Sequence, residues 1–105
     1  WEAGPHRIGC GDAKDLAFVR QVVVRPVAAA FMDPPFNVKI DGHAGGKGRI
    51  KHREFAEASG EMTREAFVAF LSATLGSAVE VSAPGAVHFL VMDHHHLDQL
   101  FEACA

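Results

Sequence analysis

The chain is poor in cysteine. Its two thiols, Cys10 and Cys104, lie near opposite ends of the 105 residues. Neither the close spacing of a metal knuckle nor a Cys-x-x-Cys redox pair is present, and the usage fits a reducing cytoplasm. No apolar run approaches the roughly 18 residues of a membrane span, and nothing reads as a secretory leader. Positive charge is also scarce, with 10 Lys and Arg against 13 Asp and Glu for a formal net charge of -3. A generally basic coat for nucleic acid is therefore excluded, and any contact with phosphates has to be local. There is no internal repeat and no low-complexity tract.

What is present is apolar: 49% of the residues are hydrophobic and 8 are Phe. That composition belongs to a folded chain, and at this length it predicts one domain over residues 1–105, burying roughly two-thirds of its unfolded surface. His6 to Cys10 reads as a brief strand closed by a turn at Gly11-Asp12. Asp15 is placed to cap a helix with Leu16, Val19 and Val23 on one side. Val27 to Met32 reads as a strand buried on both faces, stopping at Asp33.

From Asn37 to Gly60 the chain is polar and glycine-rich, as in a long loop. Thr63 then caps a helix striped by Phe67, Phe70, Leu71 and Leu75, with Gly76 as its expected stop. Pro84-Gly85 predicts a turn, Ala86 to Met92 a second buried strand, and Asp93 the cap of a helix carrying Leu97, Leu100, Phe101 and Cys104. This alternation predicts an α/β fold with a mostly parallel sheet flanked by helices.

In such sheets ligands sit at the carboxyl ends of the strands, which puts Asp33-Pro34-Pro35-Phe36 where a site is expected. Two prolines fix φ and lack N–H groups, so the segment is stiff and rich in acceptors. The Asp33 carboxylate and the Pro34 carbonyl suit the two hydrogens of one exocyclic amine. Acceptors held there localise the nitrogen lone pair and stabilise a transition state in which that nitrogen attacks a methylsulfonium carbon. Phe36 offers a face on which a flipped base stacks. Taken alone, the tetrapeptide favours an ordinary Asp-Pro turn with Phe36 in the core.

Its context extends the reading. DPPFNVKIDGH from Asp33, GRIKHREFAEASGEM from Gly48, HFLVMD from His88 and HRIGCGDA from His6 together resemble the β-type N4/N6 amino-methyltransferases, especially those often joined to a ParB-like nuclease domain. The similarity covers about His6 to Ala103 and is most specific from Asp33 to Met62. It implies a Rossmann-like methyltransferase fold, S-adenosylmethionine as donor and DNA as substrate. It assigns Asp33, Pro34, Pro35 and Phe36 to the catalytic motif and Gly11, Asp12 and Ala13 to the donor's adenosine.

Asp in first place of the motif favours adenine N6, with cytosine N4 as the alternative and a non-catalytic DNA- or partner-binding module as a third reading. The chain departs from the family in carrying Phe36 where Tyr is commoner and His94-His95 where Trp-Arg is expected. The family places its target-recognition region and a Phe-x-Gly-x-Gly donor loop after this segment. The chain, which opens at Trp1 and closes at Ala105 within a helical pattern, contains no such loop. The expectation is a partial catalytic domain, inactive on its own.

Asn37, Lys47, Arg49, Lys51 and Arg53, with His52 among them, are placed to touch DNA around a flipped nucleotide, although a solvated loop has the same composition. Gly45 to Gly48 lacks the Ser or Thr and the glycine spacing of a P-loop. His94-His95-His96 is expected to be an exposed helix start and not a metal site, because consecutive helical residues diverge by about 100°. His88 is expected to be a packed histidine in its strand.

Overall fold

The computed structural model describes residues 1–39 and 55–105. A two-strand antiparallel hairpin, β1 (Glu2–Ala3) and β2 (His6–Arg7), opens the chain and turns through Gly4 at φ 62°. The predicted strand from His6 to Cys10 is thus only its first two residues, and the whole hairpin is exposed. Asp15 caps α1 (Leu16–Val22), its carboxylate accepting the Ala17 and Phe18 backbone N–H groups at 2.9 and 3.3 Å. Gly11 passes against the Phe18 ring of this helix, where an added Cβ would stand 2.6 Å from Cζ. A side chain at this position would have to push the Phe18 ring aside.

β3 (Val27–Met32) and β4 (Ser82–Leu90) form a two-strand parallel sheet, and α2 (Arg64–Glu80) lies between them in the chain. A parallel pair needs such a crossover, so the expected α/β alternation holds for the described elements. Ala29, Ala30, Phe31 and Met32 pair with Val87, His88, Phe89 and Leu90 in turn. Pro84-Gly85 is not the turn expected before β4. It lies inside the strand, where the step from Val27 to Ala29 is matched by the longer step from Ser82 to Val87. Gly85 at φ 79° supplies the conformation this bulge needs, and the extra residues leave the ladder without ending it.

β3 also differs from expectation in its burial. Ala30, Met32, His88 and Leu90 are half-buried, while Phe31, Val87 and Phe89 on the other face are 74, 53 and 56% exposed. A continuous apolar run is compatible with cover on both faces, but no described element covers the second.

Thr63 caps α2 by accepting the Ala66 N–H at 3.2 Å. The helix runs through Gly76, the expected stop, to Glu80. Gly76 does not take the positive φ of a C-terminal cap, and the next residue, Ser77, is buried and donates from Oγ to the Lys14 carbonyl at 3.2 Å. That tertiary contact holds the extra turn against a local cost of about 1 kcal/mol for glycine. Phe67, Leu71 and Leu75 of α2 form the core with Leu100 and Ala58, bordered by Met32, Met62, Phe70, Leu90, Met92 and Ala103. Asp93 caps a 3₁₀ turn (His94–His96) that leads into α3 (Leu97–Cys104). Arg64 ties α2 to α3 by pairing with Asp98 at 2.9 Å and with Glu102. Among the described residues no helix is long and apolar enough to cross a membrane.

Candidate functional site

The parallel ladder carries past both strands, since the Val91 N–H donates to the Met32 carbonyl at 3.0 Å. The residues that follow, Asp33-Pro34 after β3 and Met92-Asp93 after β4, therefore leave the same carboxyl edge of the sheet. Pro34 is buried and Pro35 and Phe36 are half-buried, while Asp33 is exposed. No described residue donates a hydrogen bond to the Asp33 carboxylate.

Asp33, Pro34 and Pro35 stand between two clefts, each lined as follows among the described residues. One, of about 790 Å³, runs from the motif and Met32 to Gly11, Asp12 and Ala13, with Glu57, Phe70 and Thr74 in its wall. The other, of about 670 Å³, holds Phe36, Val38 and Lys39 on one side and Asp93 to His96 on the other. Phe55 borders both. The structure thus brings the two sequence-predicted groups, Gly11 to Ala13 and Asp33 to Pro35, to one cleft. Both volumes lie in the range of small-molecule sites, about 300–1,000 Å³.

Lys14 and Glu57 were not singled out by the sequence, which carries no local signal for a pair 43 residues apart. Lys14 Nζ lies 2.5 Å from Glu57 Oε2 and 3.7 Å from Asp12 Oδ2, and 5.4 Å from the centre of the Phe70 ring. The Glu57 hydrogen bond, and after it the Asp12 charge, raise the Lys14 pKa above its ordinary value against the opposing effect of burial. This pair ties the Gly11 to Lys14 turn to the segment that returns to α2.

Asn37, expected to touch DNA, forms a bracket within the chain. Its Oδ1 accepts the N–H groups of Gly60 and Met62, both at 3.1 Å, and its Nδ2 donates to the Met62 carbonyl at 2.9 Å. The carbonyl oxygen is saturated and one amide hydrogen remains. Asn37 sits at φ 56°, a region Asn tolerates better than other side-chain-bearing residues. Beside it Ala58, fully buried at φ 55°, and Ser59 donate their N–H groups to Glu61 at 2.6 and 2.5 Å. Backbone N–H groups, first its own and then those of Ser59 and Ala58, hold the Glu61 carboxyl below the usual carboxylate range.

Asn37→Ala loses three hydrogen bonds and leaves Ala at positive φ. Stability should fall by about 2–3 kcal/mol, which lowers the melting temperature by roughly 10–20 °C. Equal melting of mutant and parent chains would show that the bracket contributes nothing.

The Asp93 to His96 segment departs from the expected exposed helix start. α3 begins only at Leu97, and the histidines ride on the 3₁₀ turn. His94 and His95 are exposed, but the His96 side chain is only 18% exposed, and its ring stands edge-on to Phe67 at 5.6 Å. The His95 N–H bond, followed by the neighbouring imidazoles, depresses the Asp93 pKa while burial opposes it. His88 is packed as expected, with Nε2 2.8 Å from Ser82 Oγ. Lys47, Arg49, Lys51, His52 and Arg53, like Gly45 to Gly48, lie outside the described residues.

Fold and site together define a small α/β domain with two clefts at the carboxyl edge of a parallel strand pair. No protein-family model, curated protein or solved structure matches the chain.

Proposed function

We propose that the chain carries the catalytic segment of an S-adenosylmethionine-dependent DNA methyltransferase acting on adenine N6, within a Rossmann-like fold. The observation that carries this reading is the position of Asp33-Pro34-Pro35 between two clefts, one of which reaches Gly11 to Ala13. A two-substrate transfer needs donor and acceptor sites that meet at the reacting atoms, and the shared lining of Asp33, Pro34 and Pro35 makes the two clefts adjoin there.

The residues of the larger cleft fit the donor. Met32, Phe70 and Leu71 supply an apolar wall for a nucleoside, while Asp12, the more loosely held of the two carboxylates beside Lys14, supplies an acceptor for a ribose hydroxyl. When bound, the donor supplies an electrophilic methyl group. On the other side, the Asp33 carboxylate and Pro34 carbonyl accept the amine hydrogens of the base, and Phe36 stacks on its ring. Asn37 fixes the end of this segment against Gly60 and Met62. DNA is the proposed partner, and the cytoplasm the proposed compartment.

The test is methyl incorporation from S-adenosylmethionine into DNA, by the chain and by any longer natural protein that contains it, followed by digestion to nucleosides. N6-methyladenine is the expected product. N4-methylcytosine would reassign the base, and no methylated nucleoside from any of these proteins would leave a non-catalytic binding module.

A further inference from the structure

The clearest unassigned chemistry lies across the second cleft from the Asp-Pro-Pro segment. Asp93, His94 and His95 each bring one ligand atom to within 4.8 Å of the others. His94 Nδ1 is 3.0 Å and His95 Nδ1 3.3 Å from the same oxygen, Asp93 Oδ1. Both are hydrogen-bond or ion-pair contacts of imidazole with carboxylate, and since metal–ligand bonds of about 2.0–2.1 Å in a tetrahedron separate neighbouring ligand atoms by about 3.3 Å, the same spacing also suits one ion.

The 3₁₀ turn explains the convergence. Asp93 caps the turn and folds its carboxylate over it, accepting the His95 N–H at 3.2 Å. The exposed imidazoles of His94 and His95, 3.7 Å apart between ring centres, then meet the carboxylate from the solvent side. Divergence along a helix forbids three successive imidazoles from sharing an ion. It does not forbid two imidazoles and the capping carboxylate.

His96 lies outside this trio. Its Nδ1 is buried without a hydrogen-bond partner among the described residues, 3.8 Å from Asp93 Oδ2, and its ring is held by Phe67. It stands beside the second carboxylate oxygen without bonding to it.

We propose that Asp93, His94 and His95 bind one divalent transition-metal ion of the zinc, cobalt or nickel class. Two imidazoles and one carboxylate match the preference of these ions, and they offer too few oxygens for magnesium or calcium. Three protein ligands leave a coordination position for water or for a group entering the cleft. The inference is independent of the methyl-transfer reading.

Calorimetric titration of the full chain with zinc chloride, paired with the visible absorption of added cobalt, tests it. One ion per chain is expected. Asp93→Asn keeps a good helix-capping side chain but loses the anionic ligand, and His94→Ala removes an exposed imidazole. Each should weaken binding about tenfold or more with the circular dichroism spectrum unchanged. His6→Ala, in the hairpin, should leave binding unchanged. Zinc binding that is absent, that exceeds one equivalent without a distinct first site, or that is insensitive to Asp93→Asn and His94→Ala would overturn the proposal. Should Asp93→Asn alter the spectrum, His94→Ala decides the outcome.

Discussion

In a longer protein that contains this segment and methylates DNA, Asp33→Ala should lower the rate of methyl transfer by on the order of 10²–10³-fold, the usual consequence of deleting one fixed polar group that stabilises a transition state. The loss should appear in single-turnover rates, with donor binding little changed, because the Pro34 and Pro35 walls of both clefts remain. Asp33→Asn keeps an acceptor oxygen without the charge and should fall between the two. Asp33 is exposed and accepts no hydrogen bond from the described residues, so stability should change by no more than about 0.5 kcal/mol. An unchanged transfer rate in Asp33→Ala would remove the carboxylate from the proposed chemistry.

Phe67→Ala should abolish the cooperative unfolding transition or bring it close to the start of a urea titration. Phe67 is fully buried at the junction of α2 and α3, stacked on Phe70 at 6.1 Å and edge-on to His96. Removing a buried Phe costs about 3–5 kcal/mol, while a domain of this size has roughly 5–15 kcal/mol in all. With five buried hydrophobic residues among those described, the chain belongs at the low end of that range. The substitution should also release His96 from its seat behind Asp93, linking the core to the second cleft. A loss below about 1 kcal/mol would mean that the core is not organised around this ring.

Much of the fold is legible in local signals. Asp15 and Thr63 were readable as caps because each needs only the N–H groups two or three residues ahead, whereas Asp93, expected to cap the helix of Leu97 and Leu100, caps the 3₁₀ turn before it and leaves α3 without a side-chain cap. The stripe of Phe67, Leu71 and Leu75 was readable because helical periodicity needs no knowledge of what covers it. Where a local signal competed with a distant contact, the contact prevailed. Gly76 does not stop α2, because Ser77 is tied to Lys14, and Pro84-Gly85 is absorbed into β4 by pairing with β3.

The candidate site divides in the same way. Asp33 to Phe36 stood out because the end of an apolar strand, two prolines and an aromatic residue are contiguous in the chain. Asn37 was legible as polar, but its partners Gly60 and Met62 come from 23 and 25 residues away, so its bracket was not. The Lys14–Glu57 pair had no signal at all, and the grouping of Asp93 with His94 and His95 depended on a 3₁₀ turn that α-helical spacing does not describe.

By itself, then, the amino-acid order determined the α/β class, the helix caps, the parallel strands and the position of the Asp-Pro-Pro-Phe motif at a strand end. Each of these follows from hydrogen-bonding capacity and apolar spacing within a few residues. Tertiary packing decided which face of the sheet lies open, where α2 ends, and which distant residues join the motif around its two clefts. Those outcomes depend on groups far apart in the chain, whose proximity exists only once the core around Phe67 and Leu71 has closed.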